Sequence, residues 1–246
     1  MNVNFGIGGS QTNISAVTTL NSTATIRAGA GVDTLNATAK LTTKSVSIDL
    51  GADAANISID AAADVGGSLS IQTGDDDDTI SVNGAASLTG GLIVRTRAGD
   101  DSFVWATATS TINGGVTLDT GDGADLLVIA GWTVNGGATL QTGAMNDIVR
   151  LDNVTFNGLV NADLGAGNDR ISVETAIDAA ASLFARGINL RLGSGDDLVD
   201  LGLSATNNVT FNGAVFVDGG AGIDIVDAAF SVFNSTVVDF GVELGI

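Results

Sequence analysis

The segment VTLDTGDGADLLVIAGWTVNGG, residues 116–137, decides the fold. Val116 and Leu118 alternate with Thr117 and Asp119, so its first four residues read as a half-buried strand. A glycine-rich turn follows and closes on Asp125. Leu127 and Ile129 resume the alternation in a second strand, and Val134 ends a short third one. Asn135, Gly136 and Gly137 then turn the chain back to the point where the next unit opens.

The unit recurs nine times. Its turns end at Asp33, Ala55, Asp78, Asp101, Asp125, Asp147, Asp169, Asp197 and Asp224, at intervals of 22, 23, 23, 24, 22, 22, 28 and 27 residues. Seven residues before this point every unit has an apolar residue, from Ile26 to Val217, and two after it another, from Leu35 to Val226. A unit this small buries its apolar face only against its neighbours. Three strands in a lap of about 22 residues fit a parallel β-helix, since a two-strand roll has a shorter lap. The expected fold is all-β: a single-stranded β-solenoid of about ten coils of 22–28 residues, forming one domain over residues 1–246. It is expected to be right-handed, as parallel connections usually are. Phe156, Phe184 and Phe211 share a column and should stack, as should the asparagine amides of the NG and NGG turns at Asn113, Asn135, Asn157 and Asn212.

The chain carries 28 acidic against 9 basic residues, a formal charge of −19. That balance repels nucleic acid and anionic membrane surfaces and favours cations. No apolar run is long enough to span a bilayer. There is no cysteine and no basic, then apolar, secretory start, while Lys40 and Lys44 are the only lysines. This is the composition of exported bacterial repeat proteins, so an extracellular or cell-surface location is expected.

The turn carries the one chemical motif. Aspartates at the same point of successive laps stand about 4.8 Å apart and repel by roughly 1 kcal/mol in water, and by more where the turn is dry. Backbone N–H groups, raised pKa values or a hard cation would each offset that repulsion. Gly219–Asp227, GGAGIDIVD, resembles the RTX nonapeptide G-G-x-G-x-D-x-U-x in full, and TGDGADLLV, LGAGNDRIS and LGSGDDLVD lack only its first glycine. The resemblance implies calcium between stacked turns. Its ligands would be Asp78, Asp101, Asp125, Asp147, Asp169, Asp197 and Asp224, assisted by the carbonyls of Gly123, Gly167, Gly195 and Gly222. Departures are plain: tandem nonapeptides are absent, Ala55 replaces one aspartate, and Arg97 and Met145 replace turn glycines. The alternative is that each aspartate caps its turn by accepting backbone N–H bonds.

Catalysis finds little support in the residues. The outward acids Asp49, Asp119 and Asp163 share a column with Arg27, Arg95 and Arg191, the pattern of a solvated stabilising face. The expected function is therefore a structural module of a bacterial extracellular fibre or adhesin-type surface protein, not an enzyme. The alternative is a carbohydrate-active β-helix enzyme, a lyase or hydrolase, for which a deep groove with carboxylates unpaired with arginine would speak. Both terminal segments fall in the same phase of the lap, so the chain is expected to be a piece of a longer rod or to stack head to tail with itself. The contacting residues would be Val3, Phe5 and Ile7 at one end and Val238, Phe240, Val242 and Leu244 at the other.

Overall fold

A computed structural model describes residues 2–4, 9–15, 18–60, 62–106, 109–174, 181–202 and 208–245. Every regular element among them is a strand, and the strands form three parallel sheets of 11, 11 and 10 members. Each sheet takes every third strand, so its neighbours are one lap apart. In the lap quoted above, Val116–Asp119 lies in the first sheet, Leu126–Ala130 in the second and Trp132–Val134 in the third. The molecule is a parallel β-solenoid with three strands per lap.

Register follows the sequence columns. Leu118 pairs with Val94 on one side and Leu140 on the other, and Leu127 with Phe103 and Val149. Identical positions thus stack along the axis, and a slip by one residue would turn a buried face to water. The interior is filled unevenly. Phe156, Phe184, Phe211 and Phe233 form one stack with centroid spacings of 5.4, 4.9 and 5.3 Å. Midway along the rod Trp105 meets Trp132 edge-on at 4.8 Å, and both are buried. The third sheet has a further inward column: Ala63, Ala86, Ser110, Trp132, Val154, Ser182 and Val209 are all buried.

At the turn after the third sheet, the Nδ2 of Asn135 donates to Oδ1 of Asn113 (2.7 Å) and that of Asn157 to Asn135 (2.8 Å). Asn234 repeats the contact on Asn212 (2.8 Å), while Ala185 interrupts the series between them. Outside the first sheet Arg95 Nε approaches Asp119 at 3.8 Å, an exposed pair that stabilises little.

The ends require one correction. Val3 pairs in register with buried Ile26, whereas Phe5 and Ile7 lie outside the described residues. At the other end Val237 and Asp239 align with inward Val215 and Val217, while Val238 and Phe240 align with Phe216 and Asp218 on the outer face. Val238 and Phe240 therefore do not extend the core. The alternation restarts at Val237, one full lap after Val215. The Phe240 ring is exposed and leans on Phe216 at 5.7 Å. Val242 packs partly against the core, and Leu244 aligns with buried Val226.

Candidate functional site: the aspartate corner

The turn between the first and second sheets is the most regular chemical feature of the rod. Asp33 opens a second-sheet strand whose buried positions are Asp33, Leu35 and Ala37, so alternation turns its carboxylate inward with the apolar residues. Asp78, Asp101, Asp125, Asp147, Asp169, Asp197 and Asp224 occupy the same place, and all are at most 2% exposed. The corner thus holds one buried carboxylate per lap wherever the sequence supplies it.

Each carboxylate is tied to the lap before it. The N–H of Asp78 donates to Oδ1 of Asp101, that of Asp101 to Asp125, that of Asp125 to Asp147 and that of Asp147 to Asp169, all at 2.8 Å. Asp169 and Asp197 continue the series to Asp197 (2.7 Å) and Asp224 (3.0 Å). Ala55 has no carboxylate to offer Asp33, and there the N–H of Asp33 donates to the carbonyl of Ala54 instead (3.1 Å). The gap in the acidic column is closed by backbone.

The second oxygen is different. Oδ2 is buried and without a hydrogen-bond partner in all eight aspartates. A carboxylate desolvated in this way resists ionisation. Burial pushes Asp101 and Asp147 up to about 7, against the bond each accepts from the amide one lap before. Asp169 and Asp197 rise to about 6, and Asp78 and Asp125 also rise, again chiefly through burial. The acids nearest in the corner add to the effect, Asp76 on Asp78 and Asp100 and Asp122 on Asp125.

A second ladder, which sequence reading missed, runs outside the first. The residue just before each aspartate is often Asp or Asn, and its side chain accepts from the following lap. Oδ1 of Asp77 takes the N–H of Asp100 (2.8 Å), and Oδ1 of Asp100 takes that of Ala124 (2.9 Å). Asn146, Asn168 and Asp196 accept in turn from Asn168, Asp196 and Ile223. The inner ladder accepts from the lap before and the outer from the lap after, so every such turn is held in both directions. The column of Asp and Asn before the turn's last residue was its legible signal.

Close stacking fixes the turn backbone. A Cβ on Gly195 would lie 1.8 Å from the carbonyl oxygen of Gly167, and one on Gly222 equally close to that of Gly195. Those carbonyls, implied ligands by the resemblance, therefore face the α-carbon of the next lap. The Gly123 position meets the carbonyl of Gly99 in the same way. Arg97 and Met145 hold φ of 82° and 77° in place of glycine, a conformation side chains resist.

The structure brings the aspartates into one corner. Among the described residues no group of three or more acids converges to cage a metal. Each Oδ2 nevertheless calls for a partner, and a proton or an oxygen-seeking cation would satisfy it. No family model matches the chain, and neither a curated protein nor a solved structure matches it.

Proposed function

We propose that this chain is a structural rod, a β-solenoid module of a bacterial extracellular fibre or adhesin-type surface protein. The observation that carries the reading is that its specialised side chains bond along the axis. Aspartates, outer Asp and Asn residues, stacked asparagine amides and stacked phenylalanines all join one lap to the next. Cohesion between laps is what a load-bearing fibre requires. The outer face of the first sheet is in keeping with this, being a shallow trough of about 450 Å³ over Gly91, Gly115 and Gly137. The acidic, lysine-poor composition suits an exported protein.

The same reading has the rod stack head to tail, its outermost strands supplying backbone hydrogen bonds to the next copy. Electron microscopy of the purified chain tests this: filaments one solenoid wide are expected, and monodisperse monomers at high concentration would overturn the stacking.

Calcium in the aspartate corner is a second element of the proposal, and the orphaned Oδ2 atoms favour it. Asp78, Asp101, Asp125, Asp147, Asp169, Asp197 and Asp224 would hold the ion, which would supply positive charge to neutralise their column. Melting with millimolar calcium and with chelator is the test. Calcium should raise the melting temperature by linkage and Asp169→Ala should blunt the gain; identical melts leave the amide ladder as the whole role of these residues.

A further inference from the structure

The two longest laps, of 28 and 27 residues, contain a corner unlike any other in the rod. Where the second sheet gives way to the third, Arg170, Glu174, Asp200, Asp227 and Phe230 line a cavity of about 280 Å³. Among the described cavities these residue types meet here alone.

Charge decides what the corner suits. Arg170 is already neutralised: its Nε donates to Oγ of Ser172 (3.0 Å) and its guanidinium pairs with Asp200. Beneath it Glu174 is 1% exposed, and its Oε1 accepts from the N–H of Asn153 (2.9 Å) and from the Ser182 hydroxyl. Asp227 stands in register with Asp200 on the next strand, exposed, with Oδ1 accepting from the N–H of Ala229 (3.1 Å). Phe230 follows, 42% exposed although aromatic. Arg170 is committed to Asp200, so among the described lining residues Asp227 has no cation beside it, next to the half-exposed Phe230. A positively charged group gains from both, by attraction to the carboxylate and by cation–π contact. The chain's overall charge draws such ligands in, and the cavity's size limits them to small molecules.

We propose that this corner binds a small organic cation through its alkylammonium group, with Asp227 and Phe230 as the principal contacts. The assignment is independent of the rod reading. Titration of the whole chain by nuclear magnetic resonance tests it, with putrescine, glucosamine and glucose as probes at one fixed ionic strength. Either amine should shift resonances around Arg170, Asp200 and Phe230, and glucose, equal in shape to glucosamine but uncharged, should not. A response to putrescine alone points to a free polyamine, and one to glucosamine alone to an amino sugar. Asp227→Asn and Phe230→Ala should each weaken binding about fivefold or more with an unchanged circular dichroism spectrum. Asp218→Asn, an acid on the outer face of the first sheet, should leave it intact. Shifts spread over all acidic faces, equal weakening by Asp218→Asn, or equal affinity for glucose would overturn the site.

Discussion

The early laps and the late laps are built on one plan and filled differently. Around residues 26–69 the core is aliphatic, with Ala37 and Ala63 among its buried members, and an apolar void of about 30 Å³ remains there. From Phe156 to Phe233 four stacked rings fill the corresponding space. The early laps also include Ala55, where the acidic column is interrupted and a carbonyl replaces a carboxylate. The backbone ladder tolerates either filling. What differs is how much each lap contributes beyond that ladder.

The largest expected effect lies in the ring stack. Phe184→Ala should destabilise the rod by about 3–5 kcal/mol through lost burial and an unfilled cavity. Val65→Ala, at the same column position in the early laps, removes two carbons and should cost only about 1.6 kcal/mol. Denaturant unfolding of both variants compares the two regions directly, and equal losses would abolish the contrast.

The acid response should come next. Burial raises Asp101, Asp147, Asp169 and Asp197 to about 6 to 7, above the ordinary 3.8, so the folded state binds more protons than the unfolded chain between those limits. The column's contribution is full below about pH 4 and is lost as pH rises through 6 to 7. The melting temperature should therefore be higher at pH 5 than at pH 8. Asp147→Asn keeps the Oδ1 acceptor but cannot ionise, so it should flatten this dependence and stabilise at pH 8. A melt that improves steadily towards pH 8 would contradict the assignment.

Smaller effects separate the other devices. Asn135→Ala cuts the amide stack on both sides and should cost about 1 kcal/mol, whereas the same change at exposed Asn36, outside that stack, should cost less. Ala63→Val adds volume beside the early void and should raise stability by about 0.5 kcal/mol. Thermal unfolding resolves both, and a destabilised Ala63→Val would mean the void is shaped for what surrounds it.

Much of this was legible because the same residue types return at a fixed interval. Lap length, three-strand architecture, the Phe156–Phe211 stack and the asparagine stack all follow from columns of like residues. Columns of unlike residues were harder to see. The inward series through Ser110, Trp132 and Val154 shares no chemistry, only a position, so alternation alone could not pick it out of so short a strand. Phe233 escaped because no aspartate-ending turn follows to index its lap. The acidic column was plain in sequence, but the direction of its bonds was not. Whether a carboxylate meets the lap before or the lap after depends on a shift of one residue along the turn, which composition does not mark.

The paired ladders of opposite sense bear on how such a chain acquires its length. Where both ladders run, a lap brings both a carboxylate for the amide behind it and an amide for the side chain behind it, so a copied segment of one such lap fits between two others without new chemistry. Duplication in whole laps is thus a low-barrier route for a gene to lengthen the rod. Insertion or loss of a single residue within a strand instead reverses every side chain up to the next turn. Across the two longest laps the third-sheet register is kept all the same, with Phe156 facing Phe184 and Phe184 facing Phe211.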